Sequence, residues 1–126
     1  MIADTSFLIS FYDKDDSNHS RAVELMRQYE KGRILINDYV IGETATVLLY
    51  KKGFDAALRF ISIIEETGTF KIIHMGNPDF DSCISTFKKQ KNQLSFIDAS
   101  VVYLAQLLGE GIATFDENML KEAVGK

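Results

Sequence analysis

The sequence predicts an α/β domain in which helices flank a short parallel sheet, and three observations carry that expectation. Residues 1–3, 33–36, 70–73 and 112–115 are short apolar segments that alternate with longer stretches of helical periodicity. Strands covered on both faces by such helices read as continuous apolar runs. The stretch Phe96 to Leu108 is apolar or small at nearly every position, the pattern of a helix buried around most of its circumference. The length, 126 residues, fits one compact domain over 1–126.

Taken in order, Met1-Ile2-Ala3 reads as a first strand, followed at once by Asp4-Thr5-Ser6 and a short helix from Phe7 to Tyr12. Residues 13–18 are polar and form a loop, and Ser17 or Asn18 can cap a helix running to Glu30 with Ala22, Leu25, Met26 and Tyr29 at core spacing. Gly32 stops it. A strand over 33–36 follows, and Asn37 or Asp38 caps a helix to about Tyr50. A further helix spans Phe54 to Glu66 with Ala57, Leu58, Ile61 and Ile64 on one side, and Phe70 to Ile73 is the third strand. Pro78 suits the first position of the next helix, where its missing amide costs nothing, and Phe80, Cys83, Ile84 and Phe87 give that helix an apolar face. A basic connector leads into the buried helix, Gly109 and Gly111 turn the chain into the strand over 112–115, and Asp116 can cap a terminal helix to about Val124.

Composition bounds the function. No apolar run approaches the roughly 18 residues of a membrane span, and no basic-then-apolar leader opens the chain. Cys83 is alone, which excludes an intramolecular disulfide and makes the cytoplasm the expected location. A net charge of −4 argues against a broad basic face for coating nucleic acid. It leaves room for a nuclease whose acidic pocket is neutralised by bound cations.

Ligand sites in open parallel sheets lie at the carboxyl ends of the strands. Asp4 follows the first strand, Asp116 follows the last, Asp98 falls in the first turn of the buried helix, and Glu43 falls in the second turn of the helix after Ile36. Helices that return across such a sheet start at the same edge, so the four acids are expected together. Each also has a structural explanation alone. Asp98 completes a capping box with Ser95, Asp116 is an N-cap, Asp4 can be a turn residue, and Glu43, flanking an arc of Val40, Val47 and Tyr50, can snorkel to solvent. Jointly they are harder to explain, because two carboxylates about 4 Å apart repel by roughly 4 kcal/mol at an effective dielectric near 20. An all-carboxylate site suits Mg²⁺ or Mn²⁺, and Cys/His zinc ligands are missing. Such an ion can activate water and stabilise a phosphoryl transition state. Topology does not single out these four, since Asp38 and Asp79 also follow strands.

Asp4-Thr5-Ser6 after a first strand, Glu43 in a helix, Ser95-Phe96-Ile97-Asp98-Ala99, and Thr114-Phe115-Asp116 form an ordered set that resembles the PIN domain. More narrowly it is similar to the small ribonuclease toxins of VapC type. The resemblance implies a three-layer fold with four strands, a fifth left open, and an acidic pocket of Asp4, Glu43, Asp98 and Asp116 holding Mg²⁺ or Mn²⁺. It implies that Ser6 and Thr114 orient a carboxylate or water, and that the chain hydrolyses RNA endonucleolytically. It further implies a homodimer held inactive by an antitoxin protein. Ile97 departs from the threonine common in the family, which removes one hydroxyl. Lys88, Lys89 and Lys91, just before the buried helix, are candidate RNA phosphate contacts or a solvated connector. His19 and His74 lack ligand spacing and are not expected in catalysis.

Two competing functions stand beside this one. A PIN-like fold could serve binding alone. A receiver-like signalling domain would want paired acids after the first strand and an Asp ending the third, whereas Thr5-Ser6 and His74-Met75 occupy those places.

Overall fold

The structure, a computed structural model, describes residues 1–124, so the last two residues of the expected domain, 125 and 126, lie outside the described residues. The elements run β1 (Ile2–Ala3), α1 (Thr5–Tyr12), α2 (His19–Arg27), β2 (Ile34–Asn37), α3 (Asp38–Lys52), α4 (Phe54–Glu66), β3 (Phe70–Ile73), α5 (Asn77–Lys89), α6 (Phe96–Leu108), β4 (Ile112–Ala113) and α7 (Glu117–Val124).

The strands form one parallel sheet in the order β3-β2-β1-β4. The chain lays down β1, β2 and β3 outward in one direction and then returns to place β4 against the other side of β1. The strand order therefore reverses between β1 and β4, and the carboxyl ends of such neighbouring strands are where open α/β sheets bind ligands. Their register is fixed by pairing Ile2 with Ile112 and Ala3 with Ala113. The Asp4 amide extends it, donating to the Ala113 carbonyl at 3.1 Å. Right-handed crossovers place the helices between β1 and β3 on one face and those between β3 and β4 on the other. The packing agrees: α1 contacts α2 and α3, α3 contacts α4, and α5 packs on α6, which also touches β1, β4 and α7.

The core is built from Ile2, Phe7, Leu8, Ile34, Ile36, Leu48, Phe60, Leu104 and Met119, all essentially inaccessible. Each such side chain contributes roughly 1.5–3 kcal/mol by leaving water. Helix α6 runs through the middle of it, as its composition requires, and ends where Gly109 adopts φ +66°, the left-handed conformation a helix stop needs.

Several expectations are corrected. Helix α1 begins at Thr5 because Asp4 itself caps it, α2 stops at Arg27 rather than Glu30, and β4 covers only Ile112–Ala113. Beyond Ala113 the chain leaves the sheet to bring Thr114 and Ser6 together (3.2 Å). Pro78 is the second residue of α5, since the helix starts at Asn77. The buried stripe of α3 is Val40, Thr44 and Leu48, so Tyr50 is 84% exposed and marks no apolar arc. On α4, Phe60 is buried and Leu58 is exposed. On α5 only Cys83 is buried, while Phe80 (47%) and Phe87 (41%) remain accessible. The sheet has four strands among the described residues.

Candidate active site

Asp4 lies at the reversal point, one residue past β1, and is 1% exposed. Its Oδ1 accepts from the Phe7 amide at 2.9 Å, capping α1, and from the Ser6 hydroxyl at 2.8 Å. Its Oδ2 accepts from the Thr114 hydroxyl. Thr114 in turn accepts from the Asp116 amide at 3.0 Å, and Ser6 accepts from the Phe115 amide at 3.0 Å. The segment after β4 is thereby laced to the segment after β1. Burial pushes the Asp4 carboxyl up to about 6, against the lowering effect of the Thr114, Phe7 and Ser6 bonds, and the charge of Asp98 adds to the rise.

Asp98 sits in the first turn of α6. Ser95 caps the helix by accepting from the Asp98 amide at 3.1 Å, and Asp98 Oδ2 accepts from the Ser95 amide at 3.2 Å. The capping role expected of Asp98 is thus met. Its pKa is raised, first by burial and then by the charges of Asp116 and Glu43, with the Ser95 bonds opposing. Asp116 Oδ1 caps α7 through the amides of Asn118 at 2.8 Å and Met119 at 3.3 Å. Glu43 is half-buried on α3, whose start is capped by Asn37. The charge of Asp98 thus reaches Asp4, and those of Asp116 and Glu43 reach Asp98.

Asp38 and Asp79, the other acids that follow strands, are otherwise engaged. Asp38 accepts from the Met75 amide at 3.2 Å, and Asp79 accepts from the Tyr103 hydroxyl at 2.6 Å and the Gly76 amide at 2.9 Å. Those two bonds hold the Asp79 carboxyl below its ordinary range. Lys88, Lys89 and Lys91 are all exposed at the end of α5 and in the connector. His19 lies at the start of α2 with Nδ1 2.9 Å from the Ser10 carbonyl oxygen, and His74 pairs with Asp38 at 3.4 Å on the surface.

The donor set is oxygen only, which fits a hard divalent cation rather than zinc. Among the described residues no three His, Cys, Asp or Glu side chains close to a metal-holding arrangement. Asp98 and Asp116 each spend one oxygen on a cap, and repulsion opposes a closer approach of bare carboxylates. The fit is therefore one of chemistry and placement.

Sequence reasoning missed two features beside this edge. Arg21 on α2 lies 5.0 Å from the ring centroid of Phe115, between Thr114 and Asp116 in sequence. Asn37 does more than cap α3, because its amide also reaches Ser100 of α6 at 3.0 Å. The second is a buried contact across 63 residues, for which sequence offers no signal.

Residues 1–125 match the sequence pattern of the family described as PIN domain. The chain belongs to the PIN domain family. This PIN domain is 24% identical over 130 residues to a VapC ribonuclease of Archaeoglobus fulgidus, covering 99% of this chain and 82% of that protein. Its fold is similar to the crystal structure of Mycobacterium tuberculosis VapC20, described as a Sarcin-Ricin loop cleaving toxin, with a TM-score of 0.85, 22% identity, and 94% and 92% of the two chains covered. It is also similar to a chain of a toxin–antitoxin complex from Klebsiella pneumoniae, with a TM-score of 0.66, 16% identity, and 91% and 85% covered. The four-stranded parallel sheet flanked by helices is the PIN-like architecture of these structures. No helix among the described residues is long and apolar enough to cross a membrane.

Proposed function

We propose that this PIN domain is a metal-dependent endoribonuclease, the toxin of a toxin–antitoxin pair, acting as a single domain in the cytoplasm. Asp4, Glu43, Asp98 and Asp116 would hold Mg²⁺ or Mn²⁺ at the switch point between β1 and β4. The observation that carries this reading is Asp4. Burial pushes its carboxyl up to about 6, although three donors serve it. A cation beside this buried carboxylate would offset that desolvation cost. A bound divalent ion would supply charge neutralisation and activation of water. Ser6 and Thr114 keep Asp4 ionisable and oriented, and Asp98 and Asp116 stay anchored to helix starts so that their carboxylates face one edge. Lys88, Lys89 and Lys91 are exposed and would meet RNA phosphates.

Two surfaces suit protein partners. Phe80 and Phe87 form an accessible aromatic ledge with Phe96 and Tyr39, with ring centroids 5.7–6.2 Å from Phe96, which we assign to a second copy of the chain. A shallow groove of about 460 Å³ on α4, lined by Asp55, Leu58, Arg59, Ser62 and Ile63, suits an amphipathic segment of an antitoxin.

The deciding experiment is a calorimetric Mn²⁺ titration of chelator-free wild type and Asp98→Asn. Saturable binding that weakens at least tenfold in the variant, roughly the minimum cost of disturbing a metal site, is expected. A folded wild type that takes up no Mn²⁺ rules out the metal site. That outcome favours the second reading, a PIN-like binding module, to which the Asp98 capping box lends its own support.

A further inference from the structure

One buried side chain makes a hydrogen bond from the start of the helix carrying Glu43 to the helix carrying Asp98. Asn37 closes β2 and is 0% exposed, as is Ser100. Its Oδ1 accepts from the Val40 amide at 2.9 Å, which caps α3. Its Nδ2 donates to the Ser100 hydroxyl at 3.0 Å, and that hydroxyl donates onward to the Ile97 carbonyl at 2.5 Å. The polar chain therefore runs from the first turn of α3, through one amide, into the first turn of α6. Glu43 lies six residues after Asn37, and Asp98 lies between Ile97 and Ser100.

We propose that Asn37 and Ser100 are positioning residues that set the spacing of Glu43 and Asp98, and with it the cation affinity of the pocket. The inference rests on the metal-site reading and adds to it the device that gauges two of its ligands. Capping alone does not require this arrangement. A serine would cap α3 as well as asparagine does, and its short side chain would leave Ser100 unreached. A hydroxyl at position 100 is likewise unnecessary for a buried helix face otherwise made of Ala99, Val101, Val102 and Leu104. The Nδ2 to Oγ bond is what both residue choices have in common. Groups that hold metal ligands in place typically govern affinity by 10–100-fold, and Asn37 and Ser100 would act through the helix turns that carry Glu43 and Asp98 rather than by touching either acid.

The test uses the full chain and four variants: Asn37→Ser, Ser100→Ala, the double variant, and Ser100→Thr, which retains a hydroxyl. The Mn²⁺ dissociation constant is read by calorimetry, and thermal unfolding is followed in parallel. Asn37→Ser and Ser100→Ala are each expected to weaken Mn²⁺ binding about tenfold. The double variant should be no weaker than either single one, since both remove the same bond. Ser100→Thr should bind like wild type. Lower melting temperatures with unchanged Mn²⁺ affinity would overturn the inference while leaving the metal site standing. Absence of Mn²⁺ binding in wild type would overturn both. Should Asn37→Ser fail to fold, Ser100→Ala, which loses one oxygen atom, decides the matter against Ser100→Thr.

Discussion

The hydroxyls of Ser6 and Thr114 lie 3.2 Å apart, and each donates to a different oxygen of Asp4. Two residues far apart in sequence thus share one carboxylate. Thr114→Val keeps the volume and removes one donor. A hydrogen bond to a charged group contributes about 1.5–3 kcal/mol. Urea unfolding at pH 8, where Asp4 is ionised, should show wild type ahead by about that much. At pH 5 the difference should shrink, because a protonated Asp4 needs the donor less. An equal loss at both pH values would show that packing, not the carboxylate, accounts for the effect.

The raised Asp4 pKa also has a sign. Its folded value of about 6 lies above the ordinary 3.8, so between those values the folded chain holds a proton that the unfolded chain has released. Stability from Asp4 is greatest below pH 4 and is lost as pH rises toward 6, by up to about 3 kcal/mol. Asp98, also raised, acts in the same direction. Asp13 and Asp79, both lowered, act oppositely in wild type and variant alike. Asp4→Asn should therefore gain on wild type as pH rises from 4 to 7 in EDTA, measured by chemical denaturation. A constant difference would refute the assignment. Saturating Mn²⁺ should reverse the trend for wild type, because an ion that binds only the ionised, folded form stabilises it.

The aromatic ledge makes a different prediction. Phe80→Asp with Phe87→Asp puts two charges on an accessible apolar face without touching the core. Sedimentation should show a dimer for wild type and a monomer for the double variant, with the variant still folded by circular dichroism and melting lower by the stabilisation that association gave. A wild-type monomer at micromolar concentration would refute the assignment of this face to a second copy.

Replacing Lys88, Lys89 and Lys91 with Gln should flatten the salt dependence of RNA binding. Each phosphate contact on a single strand contributes about 0.7 to the slope of log K against log salt. Fluorescence anisotropy on an Asp98→Asn background, which the proposed site would make inactive, should show the slope falling by about 2. An unchanged slope would make these lysines a solvated connector.

The sheet, the helix alternation and the buried α6 were legible in the sequence because each has a strong periodic or compositional signal. The register of short elements was not. Strand β1 has two residues, too few for any pattern, and β4 ends at Ala113 because Thr114 turns aside to meet Asp4. The wheel of α3 misled because its buried stripe contains Thr44, a polar residue at 0% exposure, so hydrophobicity pointed to Val47 and Tyr50 instead. Phe80 and Phe87 looked like core for the same reason in reverse. The placement of Asp4, Asp98 and Asp116 at strand and helix ends followed from topology. The Asn37–Ser100 contact could not, since nothing local links residues 63 apart.

The pairing of β1 with β4 has a consequence for a chain emerging from the ribosome. The centre of the sheet is made first, but one of its two flanks is Ala113, and Oδ2 of Asp4 waits for Thr114, 110 residues later. At about 5–20 residues per second, that wait lasts roughly 5–20 s. A chain that stalls or breaks before Thr114 lacks one donor to Asp4 and all of Asp116. The hydrogen-bond set around Asp4 is therefore completed only once Thr114 and Phe115 have been made.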